Sequence, residues 1–510
     1  MLFNTFEFIF IYLPITLLGF FMLAKKSSNY AATWLAIASL VFYGSWDYRY
    51  IPLLLGSITF NYWMAIFISK IKKPSKKRLL ILAIATNLAL LAYYKYANFF
   101  LSSLSGVLKL NIEHLAIILP IGISFFTFTQ IAFLVDTYQN KVREYKFTHY
   151  VLFVTYFPHL IAGPVLHHKE MMPQFAEKIN YSPSADNFAI GTSIFVIGLI
   201  KKVIIADSIS PLANPIFQIG AHPGLIEAWI GALAYAMQLY FDFSGYSDMA
   251  IGLSRMFGVK LPLNFNSPYK AENIIDFWRR WHMTLSRFLK DYLYIPLGGN
   301  RYGVFSRYRN LFITMLLGGL WHGAGWTYVI WGGLHGIYLG INHAWRALCE
   351  TKGWQENRGK LAIIAARSIT FTAVLSAWVF FRSPDFSTAI DILSGMTGLN
   401  GISLPAWTKA HLGWLGEAGW SIKFEGIPYI DFGSMGIPIL ILALGITWLA
   451  PNTQEIMMNT QPCLESVTPE KSAIPIKWQL SNLWLSFISA GFLICILNMN
   501  NVSEFLYFQF

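Results

Sequence analysis

Apolar stretches of about 20 residues recur along the whole chain, separated by shorter polar segments. A stretch of that length crosses the hydrocarbon core of a bilayer as a helix, because backbone groups at an open sheet edge would stay unbonded in lipid. The pattern predicts spans near residues 3–23, 31–43, 51–69, 79–100, 115–138, 187–206, 228–253, 311–345, 361–381, 433–450 and 482–499, and a shorter one near 150–163. Some stretches are too short or too long for one straight span, and the stretch 31–43 is one that is too short. Such lengths indicate half-helices and re-entrant segments.

The composition places the chain among membrane proteins. Of its 510 residues, 55% are hydrophobic and 13% are charged, and the mean hydropathy is +0.47. These values exclude a disordered chain, a coiled coil and collagen, and three cysteines (Cys349, Cys463 and Cys495) cannot frame a disulfide-stapled fold of this length. The N-terminus has no basic region or cleavage site, so the first span is expected to remain. With no repeat, low-complexity tract or linker, one integral-membrane domain over residues 1–510 is predicted.

Basic residues set the predicted orientation. The net charge of +12 agrees with the enrichment of Lys and Arg in cytoplasmic loops, so nucleic acid is not an expected partner. Counting spans from the most basic loop places Lys25 and Lys26, and then Lys141, Arg143 and Lys146, on the cytoplasmic side, with the N-terminus outside. The connection 395–432, with few charges, is predicted on the outer side. The loop that fixes this count carries Lys70, Lys72, Lys73, Lys76, Lys77 and Arg78.

The segment 254–310 is predicted to be amphipathic and cytoplasmic, because ten basic residues oppose three acidic ones between Arg255 and Arg309. Asn273 and Asp276 resemble a capping box, and a Pro and two Gly residues follow at 296–299, so a helix over 274–294 is predicted. His282 falls at the edge of its apolar face, and an interfacial helix with His282 as a packing residue is the alternative to a functional site. At 100° per residue the apolar face holds Phe277, Trp278, Trp281, Leu285, Phe288 and Leu289, and the opposite face holds Asp276, Arg279, Arg280, Arg287, Lys290 and Asp291.

Residues 311–345 form a glycine-rich segment that contains no Asp, Glu, Lys or Arg. As one helix it would be about 52 Å long at 1.5 Å per residue, so it is predicted to break, tilt strongly or re-enter. His322 lies in this segment. An ionisable group at membrane depth costs free energy unless it is paired or faces water, and imidazole exchanges a proton near neutral pH. His322 is therefore a candidate for chemistry, with a neutral hydrogen-bonded histidine as the alternative, while His335 and His343 are expected to be structural.

Polar residues also interrupt the predicted span 228–253, from Tyr240 to Asp248. This stretch is expected to form a turn first of all, and otherwise to orient an imidazole or to line a vestibule, for which Asp242 is the deeper candidate. No metal site is predicted, and three further histidines are expected at the surface because carboxylates or cysteines at ligand spacing are lacking. Motifs of phosphate loops, zinc proteases and serine hydrolases are absent from the sequence. The three histidines are His159, His167 and His168.

Three strings in order carry a resemblance to a known family: Asp276-Phe-Trp-Arg-Arg-Trp-His282-Met-Thr-Leu-Ser, Tyr294-Ile-Pro-Leu-Gly-Gly-Asn300-Arg301 and Gly319-Leu-Trp-His322-Gly-Ala-Gly-Trp326. With them the chain resembles the membrane-bound O-acyltransferases, and more narrowly their bacterial alginate O-acetyltransferase branch. The resemblance extends from Leu2-Phe3-Asn4-Thr5 through 240–248 to the closing residues 505–510. It departs from the family at Pro164-Val-Leu-His167-His168, where relatives more often carry a basic or aromatic pair.

The resemblance implies an all-α polytopic fold of roughly 11 transmembrane helices with re-entrant or interfacial half-helices around a central tunnel. It implies catalytic roles for His322 and His282, a cytoplasmic thioester donor, first of all acetyl-CoA, and no permanently bound cofactor. A multi-pass place in the bacterial inner membrane is expected, with membrane lipid and a periplasmic acetyltransferase or polysaccharide export complex as partners. The tunnel candidates are Trp321, Asp242, Trp278, Trp281 and Trp326, and the donor-phosphate candidates are Arg279, Arg280 and Arg287.

The hypothesis assigns His322 as general base on an acceptor hydroxyl that attacks the thioester, with His282 positioning the donor or tuning proton transfer. Backbone amides at the glycine-rich break are expected to stabilise the oxyanion, and direct transfer is preferred over an acetyl-histidine relay. The expected acceptor is an exported, alginate-like polysaccharide, with cellulose or peptidoglycan as alternatives. A transporter of polysaccharide or lipid-linked sugar is the alternative of another class; it predicts paired charges within several spans or matching interrupted helices in two halves, and neither is evident in the sequence.

Overall fold

Helices make up almost all regular structure in the computed structural model, which describes residues 1–72, 74–142, 144–161, 163–354, 359–417, 422–424, 426–431, 433–465, 474–499 and 505–506. This confirms the predicted all-α class. The α-helices in these ranges are α1 Leu13–Ala24, α2 Ser28–Asp47, α3 Ile51–Lys70, α4 Ser75–Leu91, α5 Ala97–Leu108, α6 Ile123–Tyr138, α7 Phe147–Thr155, α8 Phe157–Leu160, α9 His168–Ala176, α10 Ala185–Leu199, α11 Asp207–Ala213, α12 Leu225–Met256, α13 Ile274–Arg280, α14 Met283–Leu289, α15 Gly303–His322, α16 Trp326–Lys352, α17 Lys360–Arg382, α18 Phe386–Met396, α19 Lys409–Glu417, α20 Gly436–Leu449, α21 Thr453–Ile456 and α22 Asn482–Asn498.

Shorter elements join or extend these helices. Two short strands, β1 Ile402–Ser403 and β2 Ile422–Lys423, pair in parallel with Ile402 beside Ile422. The 3₁₀ turns are Tyr48–Tyr50, Lys178–Tyr181, Pro268–Lys270, Ala406–Thr408 and Met458–Thr460. The π-helical segments are Phe8–Tyr12, Ala92–Tyr96, Ile200–Ala206 and Lys290–Tyr294.

Within the described ranges, four continuous helical stretches are long and apolar enough to cross a membrane: Ser28–Lys70, Ser75–Leu108, Ala185–Ala213 and Lys360–Arg382. Shorter apolar helices cover Phe8–Ala24, Gly436–Leu449 and Asn482–Asn498. The stretch 31–43, predicted to be too short for a span, lies within α2, which continues beyond it at both ends. The predicted span 115–138 is helical only from Ile123. Lys73 and Arg143 of the basic loops and residues 507–510 of the closing string lie outside the described residues.

Helix α12 is 32 residues long and passes through the protein interior against α10. Glycines let the two backbones approach each other, as small residues do at membrane helix contacts. A Cβ placed on Gly252 would lie 2.5 Å from the carbonyl oxygen of Gly191, and one on Gly198 would lie 2.6 Å from that of Gly245. The turn expected over 240–248 was wrong, because this stretch is buried in the middle of α12, where neighbouring elements bond its polar side chains.

The glycine-rich segment 311–345 breaks as predicted. Helix α15 ends at His322 and α16 begins at Trp326, and the two helices pack along each other. The contact requires glycine on both sides, since a Cβ on Gly319 would lie 2.2 Å from the carbonyl oxygen of Tyr328 and one on Gly332 would lie 2.3 Å from that of Met315. His322 is thereby fixed at the end of a helix inside the protein.

The single helix predicted over 274–294 was wrong. Asn273 caps its start as expected, accepting from the amide of Asp276 at 3.0 Å, but the chain then breaks into α13, α14 and a π-helical end. At the break, the amide of Met283 donates to the carbonyl of Asn264 (3.0 Å) and the carbonyl of Arg280 accepts from the amide of Asn266 (2.9 Å). These bonds to a neighbouring segment replace helical ones, and His282 takes a left-handed φ of 43°.

Candidate active site

His322 occupies the last position of α15 and is 6% exposed. Its imidazole is surrounded by aromatic rings from three helices. The ring centroid lies 4.9 Å from that of Trp321 on α15, 5.2 Å from that of Trp331 on α16 and 5.2 Å from that of Phe381 on α17. The imidazole is thus held by packing in an apolar environment at the point where a helix ends.

His282 lies at the break between α13 and α14 and is fully buried. Its Nδ1 lies 3.3 Å from Oδ1 of Asn264, an acceptor that also receives the hydroxyl of Thr284 at 2.6 Å. Since a carbonyl oxygen only accepts, Nδ1 of His282 is the donor and Nε2 carries the lone pair. The ring edge also packs against Phe243 of α12, with the centroids 4.8 Å apart.

The fold brings these two histidines together. Their ring centroids are 6.4 Å apart at an interplanar angle of 60°, although they are separated by 40 positions in the chain. His282 comes from the basic segment 254–310, whereas His322 comes from the glycine-rich segment. An imidazole from each of two separate helix breaks therefore lies in one buried cluster of rings.

His322 also borders a cavity of about 120 Å³. The polar groups in its wall are contributed by Lys95 of the π-helical segment Ala92–Tyr96 and Ser124 of α6. Trp46, Pro120 and Trp321 line other parts of it. A small polar group that entered this cavity would reach His322.

A family model of the membrane-bound O-acyltransferases matches residues 75–381, the part of the chain that contains both histidines. The chain belongs to the membrane-bound O-acyltransferase family. It is 43% identical to a peptidoglycan O-acetyltransferase of Helicobacter pylori over 100% of this chain and 98% of that protein. It is 42% identical to a probable alginate O-acetylase of Pseudomonas aeruginosa over 81% of this chain and 78% of that protein, and 37% identical to one of Pseudomonas putida over 100% of both.

This membrane-bound O-acyltransferase is therefore an enzyme of acyl transfer, and its predicted site residues can be placed around the histidine pair. Trp321 is buried and stacks on Phe128, with centroids 5.4 Å apart. Trp281 is buried and stacks on Phe277 at 5.7 Å. Both indoles lie among the aromatic residues that surround the pocket.

Two other predicted tunnel tryptophans lie farther out in the acyltransferase. The indole N–H of Trp278 donates to Nδ1 of the fully buried His335 at 3.2 Å. Trp326 is 59% exposed and packs against Phe99, with centroids 5.5 Å apart. Trp278 is thus half-buried against His335, whereas Trp326 lies at the surface.

Asp242 faces a different part of the acyltransferase interior. One carboxylate oxygen lies 2.7 Å from the ammonium of Lys202, which also bonds Asp207 at 2.8 Å. The other oxygen accepts the backbone amide of Leu506 at 3.0 Å, and the same ammonium lies over the ring of Phe505. The carboxylate of Asp242 therefore ties the C-terminal residues to α12.

The three predicted donor arginines have different surroundings in the acyltransferase. Arg280 pairs with Asp276 at 2.9 Å, and Arg287 pairs with Glu170 at 2.9 Å and lies 3.6 Å from Glu465. Arg279 is exposed to solvent. Two of the three guanidinium groups are thus engaged with carboxylates of the protein.

The expected surface location of three histidines in the acyltransferase was wrong: His159, His167 and His168 are 3%, 3% and 5% exposed. His167 and His168 have polar partners that are distant in the chain. His167 lies 3.2 Å from the hydroxyl of Tyr292, which donates to Asp136, and His168 lies 3.2 Å from the same carboxylate. Burial, with the nearby charge of Arg287, lowers the pKa of His167 to about 3. In the part of the chain that is described, no three His, Cys, Asp or Glu side chains are grouped to hold a metal ion.

Several residues at the acyltransferase site were missed in the sequence. Lys95 was detectable as a lone cation inside the apolar span 79–100, which is a functional signal at membrane depth. Asn264 gave no comparable signal, because an asparagine before a proline-containing loop is ordinary. The oxyanion role expected for backbone amides at the break is limited, since the amides of Gly323 and Gly325 donate to the carbonyls of Gly319 and Gly323.

Proposed function

We propose that this enzyme moves an acetyl group from a cytoplasmic thioester, acetyl-CoA, to a hydroxyl group on the outer side of the bacterial inner membrane. The product is an O-acetylated polysaccharide of the cell envelope or an exported one. The observation that carries the proposal is the pairing of His282 and His322, with ring centroids 6.4 Å apart at two helix breaks. Acyl transfer between two compartments needs one buried site that both reactants reach.

The acceptor side is argued from the cavity beside His322. Trp46 lies in the last turn of α2 and Pro120 precedes α6, and both line this cavity. In the orientation predicted from the basic loops, these two positions lie at the outer ends of their spans. An acceptor hydroxyl therefore approaches His322 from outside.

The donor side is argued from the basic segment that carries His282. This segment is predicted to be cytoplasmic, and Arg279 on α13 is exposed. A guanidinium group in solvent is available to a phosphate of coenzyme A, whereas Arg280 and Arg287 already pair with carboxylates. Arg279 is thus the first candidate among the three for donor binding, and the thioester would reach the pocket past His282.

The proposed reaction is a direct acyl transfer. His322 accepts the proton of the acceptor hydroxyl while the hydroxyl oxygen bonds to the carbonyl carbon of the thioester. The tetrahedral intermediate then breaks its C–S bond, and the imidazolium returns the proton to the departing thiolate, so the products are an O-acetyl ester and a free thiol. General-base assistance of this kind contributes about 10² to 10⁴ in rate. His282, fixed by Asn264, orients the donor.

Two polymers are proposed as acceptors, and similarity supports both. The relative named a peptidoglycan O-acetyltransferase matches the chain from end to end at 43% identity, and relatives named probable alginate O-acetylases match at 37% to 42%. Over the full length of the chain the identity is 43% to the peptidoglycan O-acetyltransferase and 37% to the alginate O-acetylase of Pseudomonas putida, which favours peptidoglycan over an alginate-like exopolysaccharide. In either case a periplasmic acetyltransferase or a polysaccharide export complex is the proposed partner that completes the transfer.

Labelled acetyl-CoA supplied to the purified enzyme in lipid, with peptidoglycan and alginate fragments as acceptors, tests this proposal. His322→Ala is expected to lose transfer by at least about 10²-fold while keeping donor binding, and His282→Ala is expected to weaken donor binding as well. Correctly folded His322→Ala with undiminished transfer would refute the mechanism. Ester analysis of both polymers from cells lacking the enzyme identifies the acceptor, and the loss of esters from only one assigns it.

A further inference from the structure

The C-terminal end of α15 is buried in the protein interior, where its last carbonyl groups have no helical partner. Such carbonyls need donors, since water is scarce at membrane depth. The amide of Gly323 bonds the carbonyl of Gly319. The next three carbonyls, of Leu320, Trp321 and His322, receive their bonds from two consecutive side chains of another span.

Those side chains are Lys95 and Tyr96. The hydroxyl of Tyr96 donates to the carbonyl of Leu320 at 2.9 Å. The ammonium of Lys95 donates to the carbonyl of Trp321 at 2.5 Å and to that of His322 at 3.2 Å. The same ammonium also donates to the hydroxyl of Ser124 at 3.3 Å. Lys95 thus bonds the backbone of the proposed base itself and ties it to the start of α6.

The local backbone conformation explains how the adjacent residues Lys95 and Tyr96 both bond the C-terminal end of α15. Residues Ala92–Tyr96 form a π-helical turn between α4 and α5. A π-turn adds a residue to the helical repeat and redirects the side chains that follow, and such turns are frequent at functional sites. A cation is also the charge that a helix C-terminus favours, because the unpaired carbonyls carry partial negative charge there.

We infer that Lys95 is a positioning residue for acyl transfer: by capping α15 it fixes the backbone of His322, and so aims the imidazole at the cavity through which the acceptor enters. The inference rests on the proposed function. Lys95 lines the same cavity as His322, so the residue that caps α15 also borders the space that the acceptor enters.

Kinetics of the full-length enzyme in lipid, with acetyl-CoA and the preferred acceptor, test the inference. Lys95→Met is expected to lower kcat by about 10- to 100-fold, the effect of losing a charge-assisted hydrogen bond, with donor KM and donor-analogue binding within about twofold of wild type. Lys95→Arg keeps a cation and several donors and is expected to recover most of the lost kcat. Lys76→Met is the matched control: its buried ammonium bonds Asn140 at the other end of the same span, so kcat is expected to stay near wild type.

Wild-type kcat in folded Lys95→Met, or equal losses in Lys95→Met and Lys95→Arg, would overturn the inference. If Lys95→Met does not fold, Tyr96→Phe decides, because it removes only the donor to Leu320; we expect a kcat loss of about 3- to 10-fold at constant donor affinity. An unchanged kcat in Tyr96→Phe would then show that the cap serves folding alone. Active His322→Ala would instead refute the proposed function, whereas inactive His322→Ala with fully active Lys95→Met refutes only the role of Lys95.

Discussion

The ring centroids of His282 and His322 lie 6.4 Å apart at an interplanar angle of 60°, and each imidazole lies at a break between two helices. Both rings pack near Trp321, and each also contacts a ring from a different helix: Phe243 of α12 packs on His282, and Phe381 of α17 packs on His322. The distance between the rings therefore depends on how α12 and α17 pack, and mutations away from the histidines are expected to affect transfer.

Asn264→Leu is expected to lower turnover by about tenfold. Leucine has a similar volume but removes the acceptor for Nδ1 of His282 and for the hydroxyl of Thr284, so the ring is free to rotate away from the donor. Turnover of labelled acetyl-CoA and the melting temperature are measured together. Ser247→Ala is the control, because it removes only the 3.4 Å contact to the amide nitrogen of Asn264 and should change turnover little. Normal turnover in Asn264→Leu would contradict the role given to this residue.

Gly332→Ala is expected to destabilise the enzyme by about 1 to 3 kcal/mol, the usual cost of overpacking. The added methyl group would lie 2.3 Å from the carbonyl oxygen of Met315, so α15 and α16 would have to separate. Gly340→Ala, on the same helix, meets nothing within 4 Å and is expected to be neutral or slightly stabilising. Thermal unfolding in detergent compares the two variants, and equal melting temperatures would disprove the tight contact.

Asp242→Asn is expected to reduce stability while leaving the turnover of the folded enzyme within a few fold of wild type. The substitution removes a carboxylate from a buried ion pair with Lys202, a change that costs about 3 to 5 kcal/mol when one charge loses its partner; Asp207 remains and reduces this cost. Melting temperature and activity per folded molecule are the measurements. A normal melting temperature with lost activity would place Asp242 in the reaction instead.

Glu465→Gln is expected to stabilise the enzyme increasingly as the pH rises. Burial raises the pKa of the Glu465 carboxyl above its ordinary value of 4.5, although the amide of Leu263 and the nearby Arg287 favour the charged form. A carboxyl with a raised pKa in the folded state favours folding while it is protonated, and this contribution is lost as the pH rises through the raised value. Melting curves from about pH 4 to 8 should therefore show a growing advantage of Glu465→Gln, and a difference that does not change with pH would contradict it.

The predictions from sequence that the structure confirms rest on local features of the chain. The break in 311–345 followed from length and glycine content, because no straight helix of that length fits a bilayer, and the cap at Asn273 followed from its side chain. The predictions that were wrong concern residues whose conformation or burial depends on a distant segment of the chain. The break at His282 exists because the backbone of Asn264 and Asn266 competes for bonds that a helix would make, and His167 and His168 are buried because Tyr292 and Asp136 supply partners.

The sequence by itself determined that this chain is a helical membrane protein with two candidate imidazoles, because apolar length and ordered motifs are properties of the chain alone. Only the tertiary structure decided that His282 and His322 meet, that Asp242 holds the C-terminal residues, and that Lys95 bonds the end of α15. The physical reason is that a buried polar group must find its partner wherever packing places one, and that partner can lie more than 200 residues away, as the carbonyl of His322 does from Lys95.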